Sequence, residues 1–326
     1  MGHGRFSSTD WDGFTAHRTA GRSREEVFSR GLRATMDPRL LSNGVRESRD
    51  SPDNPNATPL IVALDVTGSM GMIAEAIARQ GLRTLFEEVY ARQPVPDPHV
   101  MLMGVGDAAC DSAPLQVSQF EADIRIAEQL VDLWLEGGGG GNNSESYTLP
   151  WLFAALHTAT DAWSKRGRKG YLFTIGDEEP PAVLTAREQR RVLGHGQRDV
   201  GRRDWGTRDL LRLVSRQWEV FHIIVEQGSY CRANPGRVVG AWTGLLGQRA
   251  LRLADYSRLP ELIVSAMQVN EGHDLDDVAA SWGGNTADVM RHAMGSGAGV
   301  RAPGWAAQGY NPDRPRLPGL LRRLGL

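Results

Sequence analysis

Leu60-Ile-Val-Ala-Leu-Asp-Val-Thr-Gly-Ser-Met-Gly-Met-Ile73 is an apolar run that ends in Asp65 and turns at once into a helical pattern. A short, continuous apolar run bounded by turn residues reads as a strand buried on both faces. Within five residues the turn carries one carboxylate, Asp65, and two hydroxyls, Thr67 and Ser69. Alternate residues on an extended turn point the same way, so these three side chains line one small pocket. Hard divalent cations take oxygen ligands, and Mg²⁺ keeps several waters beside one or two carboxylates. The stretch therefore predicts a parallel strand with a metal site at its carboxyl end.

Outward from this stretch the pattern alternates. His99–Asp107, Tyr171–Asp177 and Val220–Glu226 are further apolar runs of strand length. Helical periodicity separates them. Ile73, Ile77, Gly81, Leu85 and Val89 recur every four residues, and Gly81 reads as a point where that helix approaches the sheet closely. Ile124, Ala127, Leu130 and Val131 mark a second helix running to Glu136, and Leu149 to Ala159 a third, with Pro150 in its first turn. Shorter helical patterns cover Ala186–Leu193 and Arg208–Gln217.

Leu115–Ser118 follows the second strand too closely for a crossover helix, so it returns antiparallel as a sheet edge. Arg249–Leu253 supplies a last strand, and Leu259, Leu262, Ile263, Ala266 and Met267 mark an amphipathic helix after it. The expected fold is α/β, a doubly wound, mostly parallel six-stranded sheet with one antiparallel edge strand, over residues 58–272. Residues 1–57, rich in Arg, Ser, Asp and Gly, read as a partly ordered N-terminal extension with a short helix over Arg24–Leu32. Residues 273–326 read as a helical segment followed by a flexible Gly- and Pro-rich tail.

Charge is balanced, 37 basic against 39 acidic residues, which offers no argument for nucleic acid or an acidic membrane surface. Two cysteines, Cys110 and Cys231, make neither a disulfide framework nor a zinc ribbon. No run reaches the roughly 18 apolar residues of a membrane span. The start has no signal-peptide apolar region, and Phe6 stands where a myristoylation signal needs Ser or Thr. A cytoplasmic protein is the expectation.

Four strands end on an acid: Asp65, Asp107, Asp177 and Glu226. Ligands of open parallel sheets bind outside the carboxyl ends of the strands, where the strand order switches. If the strands ending in Asp65 and Asp177 are neighbours, both acids face one crevice, and two close carboxylates favour a cation between them. Glu136-Gly-Gly-Gly-Gly-Gly-Asn-Asn-Ser-Glu-Ser-Tyr147 precedes a helix. Five consecutive glycines open backbone angles closed to other residues, so this loop can bring Asn143, Glu145 or Ser146 over the crevice. Asp107 is a further candidate, or simply caps a turn.

Asp65-Val-Thr-Gly-Ser69 resembles the Asp-x-Ser-x-Ser signature of von Willebrand factor A (vWA) domains, which builds their metal-ion-dependent adhesion site, or MIDAS. The similarity extends to the Gly-rich loop and to Phe173-Thr-Ile-Gly-Asp177, where the family carries its second aspartate. The resemblance implies a vWA/Rossmann-like fold whose Thr67 and Ser69 bind Mg²⁺ or Mn²⁺ directly. Asp65 and Asp177 would act through water, and a partner's carboxylate would complete the octahedron. The family's middle ligand is usually a Thr of the Gly-rich loop. Here its counterpart is Glu145, with Ser146 beside it, and either can take the role. A partner protein presenting an acidic residue follows, and intracellular bacterial proteins of this kind often work beside AAA+ ATPases.

Two other classes compete with this non-enzymatic reading. The same five residues resemble the Asp-Lys-Thr-Gly-Thr motif of haloacid dehalogenase-type phosphatases, with Asp65 as nucleophile. Against that stand the missing second aspartate at position 67 and a helix that starts without room for a flap. The third class is a scaffold whose metal site is empty. Among the remaining residues, His222 reads as a core histidine. Trp134, Trp151 and Trp163 read as helix residues flanking the Gly loop, mostly core.

Overall fold

The computed structural model describes residue 4 and residues 7–41, 44–138, 144–194 and 200–295. Asn143 and everything from residue 296 on, including the expected tail, lie outside the described residues. Its strands are β1 (Arg46–Ser48), β2 (Thr58–Asp65), β3 (Pro98–Val105), β4 (Leu115–Val117) and β5 (Thr158–Thr160), then β6 (Gly170–Gly176), β7 (Val183–Leu184), β8 (Trp205–Gly206), β9 (Trp218–Val225) and β10 (Ala250–Leu253). Six form the main sheet in the order β10-β9-β6-β2-β3-β4. All its pairs are parallel except β3 with β4, where Met103 faces Val117 and Val105 faces Leu115. The expected mostly parallel six-stranded sheet with one antiparallel edge strand is therefore present.

Period-two alternation along β2 divides the interior into two cores. Leu60, Val62 and Leu64 join one, built with the helices Leu82–Arg92 and Leu259–Asn270. Ile61 and Ala63 join the other, built with Thr148–Leu156, Thr207–Val214 and Pro235–Leu246. Every residue of β2, β3 and β6 is buried, as continuous apolar strands covered on both faces must be. The helical region after β2 is not one regular helix. Met72–Ala76 passes through a π turn, Ile77–Gly81, before Leu82–Arg92. Gly81 does not serve a close approach to the sheet, since a Cβ there would meet only Ile77 of its own helix, at 3.6 Å.

Other expectations are corrected at their ends. The helix expected over Arg24–Leu32 spans only Arg24–Val27 and is preceded by another at Ser8–Phe14, and the one expected to reach Glu136 stops at Leu130. Trp134 thus lies beyond that helix, where its backbone N–H and C=O both bond the Gln116 side chain. The helix Leu259–Asn270 is buried on nearly every side instead of being amphipathic, because Leu275–Ala280 and Gly284–Met294 pack over its outer face. The N-terminal segment packs closely on the sheet domain. Trp11, Val27, Phe28 and Met36 belong to the first core, with Trp11 5.4 Å from Phe86, and β1 pairs in parallel with β5.

The helix Ala186–Leu193 starts with a capping box in which Thr185 accepts from the Glu188 N–H at 3.2 Å and Glu188 accepts from the Thr185 N–H at 2.7 Å. Further along it, the Arg191 guanidinium donates to the carbonyls of Ala108 and Asp111, tying this helix to the loop after β3. Thr185→Ala is expected to cost about 1 kcal/mol, the usual value of such a cap. Chemical denaturation measures it, and an unchanged midpoint would show that tertiary contacts alone hold the helix.

Candidate functional site

The chain leaves β2 for β3 on one side and later returns to β6 on the other, so the strand order switches at β2 and β6. Leu64 pairs with Ile175 there, which brings Asp65, the last residue of β2, beside Gly176 and Asp177. Both acids are fully buried. The Thr67 hydroxyl donates to Asp65 Oδ1 at 2.6 Å, and the Thr67 N–H to the same oxygen at 2.9 Å. The Ser69 hydroxyl donates to Asp177 Oδ1 at 2.6 Å, and the two hydroxyl oxygens stand 3.3 Å apart. Two hydrogen-bonded pairs, Thr67 with Asp65 and Ser69 with Asp177, thus face each other across the switch point.

Backbone of two further loops packs against these pairs. The Gly68 N–H donates to Gly138 O at 2.7 Å and the Gly137 N–H to Val66 O at 3.0 Å, so the start of the glycine loop lies against the β2 turn. A Cβ on Gly68 would stand 3.1 and 3.2 Å from the carbonyls of Gly137 and Gly138. After β9, the Ser229 N–H donates to Ser69 O and the Tyr230 N–H to Asp177 Oδ2, at 3.1 and 2.8 Å. Gly228 permits that approach, since a Cβ there would fall 2.3 Å from Asp177.

Glu145 is 2 % exposed, and its Oε2 has no hydrogen-bond partner. Ser146 is turned toward the loop after β3, its hydroxyl accepting from the Ala108 N–H at 2.9 Å. Asp107 accepts from the Ala109 N–H at 2.7 Å, the turn-capping role, while lying near enough to Glu145 and Glu178 to repel both. Glu226, the fourth strand-end acid, is engaged elsewhere by Arg252 at 2.6 Å. His222 is buried and stacked on Trp242 at 3.5 Å; burial drives its pKa well below the usual histidine value, so it stays neutral.

One residue of this site, Tyr147, has no clear mark in the sequence, and a second, Glu178, stands in a Glu-Glu-Pro-Pro run that reads as a solvated loop but is buried here. Tyr147 is buried, donates its hydroxyl proton to Asp65 Oδ2 at 2.6 Å and accepts from the Glu178 N–H at 3.3 Å. Glu178 is buried with its Oε2 unpartnered. Tyr147 had one available signal, its place two residues after Glu145 at the close of the glycine loop.

The electrostatics are one-sided. Burial pushes Asp65 above the carboxylate range, opposed by its Thr67 and Tyr147 hydrogen bonds and reinforced by Asp177. Glu145 is raised by burial, then by Asp65, Glu178, Asp107 and Asp111. Glu178 is pushed up to about 7 by burial, then by Asp65 and Asp177. Glu179, next in sequence, meets Arg237 at 2.8 Å. Among the described residues no lysine or arginine pairs with Asp65, Glu145, Asp177 or Glu178.

A raised acid binds more protons folded than unfolded, so its contribution to stability falls as pH climbs from the unfolded value through the folded one. For Glu178 that window runs from roughly 4.3, the ordinary glutamate value, to about 7. In EDTA, wild-type melting temperature is therefore expected to fall relative to Glu178→Gln between about pH 4 and 7. Parallel profiles for the two proteins would refute a buried, neutral Glu178.

Among the described residues, no three His, Cys, Asp or Glu side chains are grouped as metal ligands. The donors that do converge are two hydroxyls and two carboxylates, a hard oxygen set. The buried Oε2 atoms of Glu145 and Glu178 have no hydrogen-bond partner, and with no cationic side chain paired to them they are compatible with a divalent ion near this donor set. No protein-family model matches the chain, and no curated protein matches it. Among solved structures it is similar to the pilus adhesin SpaC from Lactobacillus rhamnosus GG in an open conformation, with 11% identity and a TM-score of 0.42, over 69% of this chain and 31% of that one. A second form of the adhesin gives 11% identity and 0.41, over 69% and 32%. The chain spans about a third of the length of that adhesin.

Proposed function

We propose that the chain is a vWA-type binding module. It would hold Mg²⁺ or Mn²⁺ in a MIDAS at the carboxyl end of β2 and use the ion to engage an acidic residue of a partner protein. The hydroxyls of Thr67 and Ser69 carry this reading. Each donates its proton to a buried carboxylate, and a hydroxyl so committed keeps its lone pairs for a cation. Adjacent ligands of octahedral Mg²⁺, each 2.0–2.1 Å from the ion, lie about 2.9 Å apart. The observed 3.3 Å between the two oxygens is close to that spacing.

Thr67 and Ser69 would hold the ion directly, with Asp65 and Asp177 acting mainly through water. Bound there, the cation would supply a directional positive charge for a partner's carboxylate. For the middle position Glu145 has more support than Ser146, because its Oε2 is buried without a partner while the Ser146 hydroxyl serves the Ala108 N–H. The mostly parallel sheet, with its switch point at β2 and β6, is compatible with a Rossmann-like fold that binds at that point. The phosphatase alternative has less behind it. Both Asp65 oxygens are held by hydrogen bonds and the side chain is fully buried, a poor posture for a nucleophile.

Calorimetric titration of EDTA-stripped protein with Mn²⁺ and Mg²⁺ tests the reading. Saturable binding at one site per chain is expected, followed by EDTA-sensitive capture of a partner. Absence of binding by either ion would remove the metal mechanism.

A further inference from the structure

We propose that Tyr147 is a positioning residue: its hydroxyl braces the Asp65 carboxylate, so that Oδ1 stays aimed at the Thr67 hydroxyl and that hydroxyl at a cation. The inference deepens the metal reading above and rests on it for its functional consequence. The brace itself is a matter of geometry. The Tyr147 hydroxyl has one proton to give and two neighbours, Asp65 Oδ2 at 2.6 Å and the Glu178 N–H at 3.3 Å. The N–H can only donate and the carboxylate only accept, so the phenolic proton has one destination. Oδ2 is thereby held toward Tyr147, while Oδ1 faces Thr67 and accepts from both its N–H and its hydroxyl.

The ring is held as firmly as its hydroxyl. It meets His222 edge-on at 5.0 Å and Trp242 at 5.6 Å, and Trp242 donates its indole N–H to Glu178 O at 2.8 Å. Space for the phenol exists because position 176 is glycine; a Cβ there would stand 2.1 Å from the hydroxyl oxygen. One side chain therefore joins the glycine loop, the end of β2, the end of β6 and the helix Pro235–Leu246. A group that orients a metal-site carboxylate in this way typically changes metal affinity 10–100-fold when removed.

The test is Mn²⁺ titration of wild type and Tyr147→Phe, with melting curves in EDTA and amide hydrogen exchange. Phenylalanine keeps the ring packing and removes only the hydroxyl. Mn²⁺ affinity is expected to fall at least about 10-fold with the fold retained, a loss that packing alone would not produce. Unchanged affinity overturns the brace and leaves the metal reading standing. If wild type binds no Mn²⁺, the metal reading fails, and exchange of the Thr67 amide in EDTA decides the brace. Faster exchange in Tyr147→Phe supports it, and equal exchange overturns it. Should Tyr147→Phe not fold, 3-fluorotyrosine placed at position 147 reports instead. A fluorine resonance that moves with Mg²⁺ supports the brace; one that does not move overturns it.

Discussion

Ser69→Ala is expected to weaken Mn²⁺ binding at least about 100-fold, and Asp65→Ala by about 10–100-fold, the range typical of groups that support a ligand. The two substitutions act through different atoms. Ser69→Ala removes one of the two hydroxyl oxygens proposed to touch the ion, together with the hydrogen bond to Asp177. Asp65→Ala removes the acceptor of the Thr67 proton, so the Thr67 hydroxyl is free to rotate away from its present aim. Both variants should also lose stabilisation by metal. A ligand at 100 times its dissociation constant adds about 2.7 kcal/mol to the folded state, roughly 5 °C or more for a domain of this size. Calorimetry and melting curves with and without Mn²⁺ read the two effects. Binding lost only in Asp65→Ala would transfer weight to a phosphatase-like site, where the serine has no part. A generic aryl phosphate assay would then follow.

Gly176→Ala is expected to destabilise the protein by about 3 kcal/mol, the upper end for overpacking a filled core. The introduced methyl would stand 2.1 Å from the Tyr147 hydroxyl oxygen and 2.6 Å from two ring carbons. The ring has no room to retreat, being packed against His222 and Trp242, themselves stacked and buried. Mn²⁺ affinity should fall with stability, since the phenol moved by the methyl is the one bonded to Asp65. Gly240→Ala is the matching control. It lies in the helix Pro235–Leu246 with open space where its Cβ would go, so it is expected to be neutral or to stabilise by up to about 1 kcal/mol. Urea midpoints measure both. Equal midpoints for Gly176→Ala and wild type would mean that the 145–147 segment yields readily and does not clamp the site.

Several features were legible in the residues because their causes are local. The run Leu60–Leu64 is apolar at every position, which suits a strand covered on both faces. The short interval between Val105 and Leu115 leaves no room for a crossover, so the next strand had to turn back. Thr67 follows Asp65 at a spacing that lets its N–H and hydroxyl reach Asp65 Oδ1 within the turn. The helix Ala186–Leu193 was readable to its ends because Thr185 and Glu188 satisfy its first N–H groups by themselves.

The helix Pro235–Leu246 had no such signature. Gly236, Gly240 and Gly244 lower its helical propensity, and burial of Val238 and Trp242 in the second core overrides that preference. Trp134 was misplaced for the converse reason. Helical periodicity reaches Val131, but Gln116 captures the backbone of Trp134 from the edge strand.

By itself, then, the sequence determined the strand, the turn and the acid at its end, since each depends on neighbours within a few residues. Only the tertiary structure decided that β6 lies beside β2, which brings Asp177 to Ser69. It alone decided that Tyr147 reaches Asp65 past Gly176 and that Gly228 lets the β9 loop close on Asp177. Those contacts join residues far apart in the chain. Their specificity comes from sheet order and from the space left by absent side chains, and neither has a local pattern to read.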